Sequence, residues 1–340
     1  MKAASLIEIV NWDRSRFGDD TETVLQRLEA ARAEWPEKMR SSPSLLFKGF
    51  PLGDDVSFAR FAKALSQSVS RYVAGQTDRT EVSEQVYEAT KIPGLFPIHL
   101  HAEMAYSQVF PSHLFFYSRA RRCLGGASWL ASNAAIWDGL PSELQSRLST
   151  EGVRYLRLLP PRGARALLPF RAVRSGALKS WQESLEVEDR ESAERVLNRR
   201  GIPFTWLEDG WLDLSSRQPA FRVDPVTGKK LWFNQCHTMQ VNPFLHGRLV
   251  TWLFRAVNSF MGRAPFGATF GDGTPFSDDD FRAIRRAHDA ARVERVLEQG
   301  DVLYFDNVRL SHGRGPYLGQ RQVRVVFCGL DSSSTPGASS

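Results

Sequence analysis

"HLHAEMAYSQVFPSHLFFYSRARRCLGGASWL", residues 99–130, joins a His-x-Glu triplet to two strand-like runs, "HLFFYSRA" and "GGASWLA", punctuated by Pro111 and the Gly125-Gly126 pair. Apolar and aromatic runs closed off by Pro and Gly point to a β core. The triplet alone decides nothing, because seven histidines and 38 acidic residues in 340 supply about one His-x-Asp/Glu by chance. Its meaning depends on what the rest of the chain can bring to the same strand end.

N-terminal to this stretch, Val24, Leu25, Leu28 and Ala31 recur at helical intervals over residues 20–40, with Pro36 near the helix's end. "SLLFKGFPLG" reads as a buried strand and turn, followed by an amphipathic helix over about 55–75. C-terminal to it, a helix starts near Ser132, and residues 150–200 read as a polar, Arg-rich insertion, a lid, ending in a helix over about 181–199. A strand at "KKLWFNQ", helices near 246–262 and 277–295, and two closing strands, "DVLYFDN" and "RQVRVVFCGL", complete the chain. This divides into an N-terminal helical segment (1–43), one domain (44–331) and a tail (332–340) too polar to pack.

With 42% hydrophobic residues the chain can bury a sizeable core. The N-terminus lacks the apolar run of a signal peptide and no stretch is apolar enough to span a membrane, so no membrane association and a cytoplasmic location are expected. Three widely spaced cysteines, Cys123, Cys236 and Cys328, suggest packed thiols rather than disulfides or a thiolate metal site. The net charge of +6 is uneven: "RYLRLLPPRGARALLPFRAVR", residues 154–174, holds six arginines and no acid. No nucleic-acid-binding motif accompanies them, and a basic face or an acidic partner is implied instead.

Iron(II) enzymes that activate O2 commonly hold the metal with two histidines and one carboxylate, leaving positions open. His101 and Glu103 on a strand end point to one side because side chains alternate. A third ligand must come from a distant strand, and "GDVLYFDNVRLSHGRGPYLGQRQVRVVFCGLD", residues 300–331, offers His312 after a strand and a loop. Arg321, nine residues on, is placed to grip a dicarboxylate whose other end chelates the metal. That is the layout for 2-oxoglutarate.

The chain resembles the TauD/TfdA (taurine dioxygenase-like) family of Fe(II)/2-oxoglutarate oxygenases, nearest its syringomycin-hydroxylase-like branch. The resemblance runs in family order over about residues 44–331, through "LLFKGFPLGDDVSFARFAKAL", "HLHAEMAYSQVFP", "LGGASWLASNAAIWDGLP", "DPVTGKKLWFNQ", "FGDGTPFSDDDFRAIRRA" and "QGDVLYFDNVRLSHGRGPYLGQR". It implies a mainly β fold with flanking helices, a double-stranded β-helix (jelly-roll) core, with Fe(II), 2-oxoglutarate and O2 as cofactors and co-substrates. His101, Glu103 and His312 match the metal triad, Arg321 the arginine that binds the distal carboxylate of 2-oxoglutarate, and Ser128 a hydroxyl assisting it. Two positions depart. Ala102 stands where the branch usually has Asn, and Val325 where taurine-cleaving enzymes carry a second arginine for the substrate's anion, Arg324 being of the wrong parity. Glu103 fills the site that related iron halogenases leave to a small residue.

The function implied is hydroxylation of an amino acid or amino-acid-derived small molecule in secondary metabolism. Desaturation, epoxidation or a non-catalytic binding role are the alternatives. Asn234 and Gln235, ending an aromatic strand, are candidate substrate contacts; Asp306-Asn307 reads as turn chemistry. With no cation at Val325, an aminoacyl group tethered to an acyl or peptidyl carrier protein is the expected substrate, docked by arginines 154, 157, 162, 165, 171 and 174; a free amino acid is the rival. His99 shares the strand parity of His101 and is a decoy ligand, and His113, His237, His246 and His288 are assigned to core or surface.

Overall fold

Strand His113–Gly125 is the axis of an eight-stranded sheet, pairing antiparallel with Val302–Asp306 on one side and Tyr317–Cys328 on the other. The structure, a computed structural model, describes residues 6–71, 79–89, 92–163, 180–199, 201–261, 264 and 266–329. The sheet continues through Ser44–Lys48 to a parallel edge strand, Glu8–Asn11, and through Val86–Glu88 to Glu81–Ser83. These strands are apolar on both faces because both faces are covered, and alternation sorts them. Phe115, Tyr117, Tyr304 and Val326 pack with Leu28, Trp35, Phe58 and Phe61 of the N-terminal helices. Leu114, Leu303, Phe305, Val325 and Phe327 point the other way, toward Leu130 and Leu310.

Leu130 and Leu310 belong to a four-stranded sheet ordered Arg292–Arg295, Ser128–Ser132, Leu310–Arg314, Ile98–His101. The two sheets enclose one apolar layer, the double-stranded β-helix with helices outside. This is the fold class expected from the sequence.

Local differences from the sequence reading have local causes. Residues 20–40 form two helices, Thr21–Ala30 and Glu34–Ser41. Pro36 sits in the first turn of the second, where its missing N–H sacrifices no intrahelical bond, so it helps start a helix rather than end one. Helix Asp55–Leu65 starts at a capping box of Asp54 and Ser57 but stops well short of residue 75, because the chain turns into Val69–Ser70, which pairs with Tyr317–Cys328.

The Arg-rich stretch begins as regular structure. Val153–Leu159 is a strand flanked on both sides, with Val153, Tyr155, Arg157 and Leu159 buried and Arg154 exposed. Arg165, Arg171 and Arg174 lie outside the described residues. The helix expected over 181–199 is two, Trp181–Leu185 and Arg190–Arg199. Cys236 and Cys328 are buried, whereas Cys123 is half-exposed near a strand end. Among the described residues no helix is long and apolar enough to cross a membrane.

Candidate metal centre

Strand Ile98–His101 pairs with Leu310–Arg314, setting His101 opposite His312; pairing resumes with Ile98 opposite Arg314, so two residues, His99 and Leu100, face one, Gly313, across a β-bulge. Gly313 lets the strands approach this closely. A Cβ there would meet Ile98 O at 2.5 Å and Leu100 N at 3.1 Å, both backbone atoms that cannot swing away. The bulge also breaks the alternation that would put His99 beside His101. The ring of His99 lies 6.5 Å from that of Trp129 and lines a hollow with His237 and His288, while the rings of His101 and His312 are 4.4 Å apart.

The strand ends at His101, so Glu103 stands in the following turn rather than on the strand. Asn307, fully buried, aims it: Oδ1 accepts from Glu103 N–H at 2.7 Å, and Nδ2 donates to Glu103 O at 3.0 Å and Pro111 O at 2.8 Å. Gln235 Nε2 donates to Ala102 O, and the Gln235 N–H donates to Tyr155 Oη at 2.8 Å. Two buried amides thus clamp the backbone on either side of the carboxylate. They hold a turn whose next residue, Met104, has φ +56°, an uncommon conformation for a non-glycine residue.

The result is a group of three donors that can hold a metal ion, their ligand atoms lying within 4.8 Å of one another. Glu103 Oε2 lies 3.7 Å from His312 Nε2 and 3.9 Å from His101 Nε2. His101 Nδ1–H donates to His99 O at 2.8 Å, which leaves Nε2 with its lone pair. Burial lowers the pKa of both histidines, that of His312 strongly, keeping the rings neutral as metal ligands require. Two neutral imidazoles and one carboxylate fit a 2-His-1-carboxylate iron site.

Arg321 donates through Nε to Gly126 O at 3.0 Å and through Nη2 to Ser128 Oγ at 3.2 Å. Gly126, at φ +72°, is what lets the chain lie against it, since a Cβ there would stand 3.0 Å from Arg321 Cδ. Among the described residues no carboxylate lies within 4.0 Å of this guanidinium. Burial, with the nearby Arg314, pushes its pKa down to about 10. A cation desolvated without a counter-charge fits a carboxylate-bearing ligand.

The remaining candidates divide. Val325 is fully buried in the layer between the sheets, and Arg324 turns outward to Asp55 at 3.0 Å, as its parity requires. Asn234 is fully buried, with Nδ2 donating to Ala220 O and Oδ1 accepting from Cys236 N–H, so its amide is occupied by backbone rather than turned to a substrate. Gln235 is likewise committed to Ala102. Of the proposed docking arginines, Arg162 is paired with Glu188 at 2.8 Å; Arg157 is buried. Sequence reasoning missed the clamp by Asn307, the fit of Gly313, and Arg79, whose Nη2 lies 2.9 Å from Glu103 Oε2.

Residues 11–327 match the family described as "Taurine catabolism dioxygenase TauD, TfdA family". The chain belongs to the TauD/TfdA family. It is an Fe(II)/2-oxoglutarate-dependent dioxygenase, with O2 as co-substrate. Among curated proteins it is 29% identical over 293 residues to the dapdiamide synthesis protein DdaC of Enterobacter agglomerans, covering 86% of this chain and 83% of that one. It is 26% identical over 294 residues to a clavaminate synthase-like protein of Arabidopsis thaliana, covering 85% and 82%. The crystal structure of PvcB from Pseudomonas aeruginosa aligns over 87% of this chain and 79% of that one, at 16% identity and a TM-score of 0.47.

Proposed function

We propose that His101, Glu103 and His312 hold the Fe(II), that Arg321 and Ser128 receive the distal carboxylate of 2-oxoglutarate, and that the enzyme hydroxylates a small amino-acid-derived substrate in natural-product biosynthesis. The observation that carries this is the convergence of three buried ligand atoms within 4.8 Å. Iron with 2-oxoglutarate and O2 supplies the oxidising power to break an unactivated C–H bond, 2-oxoglutarate being decarboxylated to succinate. The protein's part is orientation and exclusion of water. Asn307 and Gln235 fix the turn that bears Glu103, and Phe116 and Phe305 flank His312 with ring centroids at 5.3 and 5.2 Å, keeping that ligand dry.

The biosynthetic assignment draws support from the likeness to the dapdiamide synthesis protein. Of residues 150–200, our proposed substrate-covering segment, Val153–Leu159 is a sheet strand and residues 164–179 and 200 lie outside the described residues. Delivery on a carrier protein has less support: Arg162 is committed to Glu188 and Arg157 is buried, leaving exposed Arg154 among the described arginines of that run.

Anaerobic addition of Fe(II) and 2-oxoglutarate tests the assignment. Wild type is expected to develop a visible metal-to-ligand charge-transfer band that His101→Ala and His312→Ala lose while remaining folded. An unchanged band in either variant would remove that residue from the site. A mass-spectrometric screen of free and carrier-loaded amino acids, scored for gain of one oxygen coupled to succinate, then identifies the substrate.

A further inference from the structure

A cation reaches the metal triad from outside the strands that carry the ligands. Arg79 precedes strand Glu81–Ser83, and its side chain is only 5% exposed. Its Nη2 lies 2.9 Å from Glu103 Oε2, the same oxygen that faces both imidazoles. Its Cζ stands 5.0 Å from the ring centroid of Phe327, which lies two residues beyond Val325 on the face that also bears Arg321. The guanidinium therefore enters the layer between the sheets on the strand face that bears Val325, Phe327 and Arg321.

A divalent ion held by the triad would share Glu103 Oε2 with Arg79 and would place a second positive charge beside the guanidinium, in a site whose ligands are buried. Such an arrangement is unfavourable until an anion comes between the two cations. Arg79 already rests against one carboxylate, that of Glu103, at 2.9 Å. We infer that Arg79 receives a carboxylate of a small molecule bound at the metal, either the keto-acid end of 2-oxoglutarate or the substrate's own acid group. The inference rests on the iron assignment above. In the second case the substrate is a free carboxylic acid, and a thioester on a carrier protein would lack the group that Arg79 reads.

The test compares full-length wild type with Arg79→Met and Arg79→Lys. Mn(II) alone is titrated first by calorimetry. If Arg79 yields to the ion, Arg79→Met binds Mn(II) at least as tightly as wild type; a side chain that merely braces Glu103 would instead make the variant bind about tenfold or more weakly, which overturns the inference. Next, 2-oxoglutarate is titrated anaerobically into the Fe(II) protein, followed by a panel of free L-amino acids and their carboxamides. An affinity for 2-oxoglutarate lowered about tenfold or more in Arg79→Met and partly recovered in Arg79→Lys identifies 2-oxoglutarate as the source. Unchanged 2-oxoglutarate affinity, with a free amino acid that perturbs the charge-transfer band in wild type but not in Arg79→Met, and whose amide perturbs neither, identifies the substrate's carboxylate. Unchanged 2-oxoglutarate affinity, with no member of the panel separating wild type from Arg79→Met, overturns the inference. Wild type that develops no band at all with Fe(II) and 2-oxoglutarate is a distinct result that sinks the iron assignment, and this inference with it.

Discussion

Asn307→Ala is expected to damage both the fold and the metal centre, and the two effects can be measured separately. The side chain is fully buried and serves three backbone groups: the N–H and C=O of Glu103 and the C=O of Pro111. A buried polar group left without its partner costs about 1–3 kcal/mol, and water entering the vacated space would relieve part of the total, so a loss of about 3 kcal/mol of stability is expected. Asn307→Asp tests the sign of each bond. It keeps an acceptor for Glu103 N–H but turns a negative charge on two carbonyls that need a donor, so it should be no better tolerated. Freed from its clamp, the turn no longer fixes the Glu103 carboxylate, and metal affinity should fall about 10- to 100-fold. Urea denaturation of the metal-free protein reads the first effect and Mn(II) calorimetry the second. Asn242→Ala is the control: that amide is also buried and bonded to backbone, at His237 and Gln240, so it should lose stability yet keep its Mn(II) affinity. Unchanged Mn(II) affinity in Asn307→Ala, or an equal fall in Asn242→Ala, would refute the reasoning.

What the sequence made legible was chemistry carried by residue type and order. The apolar strands His113–Gly125, Val302–Asp306 and Tyr317–Cys328 announce themselves as runs, and His101, Glu103 and His312 sit in motifs that keep the family order. What it hid was decided by pairing. His99 and His101 share parity on paper, and only the bulge opposite His312 and Arg314 separates them. Asn307 reads as a turn residue because Asp-Asn is ordinary turn chemistry, and nothing local says that it reaches Glu103, 204 residues away. Strand Val153–Leu159 was obscured because an arginine, Arg157, occupies one of its inward positions, so a real alternation looked like a polar run. Arg79 had no local signal: it becomes interpretable only beside Glu103 and Phe327.

Gly313→Ala should weaken Mn(II) binding at least as much as it lowers stability, because its Cβ would push Ile98 O and Leu100 N, and with them His101, away from His312; unchanged Mn(II) affinity would show that the bulge is incidental to the site. Arg321→Ala should lose on the order of 2–4 kcal/mol of 2-oxoglutarate binding, raising its apparent KM roughly 30-fold or more; an unaltered KM would place the cosubstrate elsewhere. A thiol reagent should label native protein once, at half-exposed Cys123, since Cys236 and Cys328 are buried and burial pushes the Cys328 thiol up to about 12; rapid labelling that survives Cys123→Ser would contradict this. Acid stability should depend on His288. Its Nδ1–H donates to Ile284 O at 2.8 Å, its Nε2 has no partner, and burial pushes its pKa down from 6.5 to about 4. Between those values the unfolded chain takes up a proton that the folded chain refuses, so the contribution is intact above pH 6.5 and is lost as pH falls through about 4. A shift of this size corresponds to about 3 kcal/mol. His288→Phe keeps a ring of similar shape against Trp232, at 5.2 Å in wild type, but cannot titrate. Urea unfolding across that window should therefore give a flatter dependence of stability on pH for the variant than for wild type, and the same slope in both would mean that the protonation driving acid unfolding occurs at other groups.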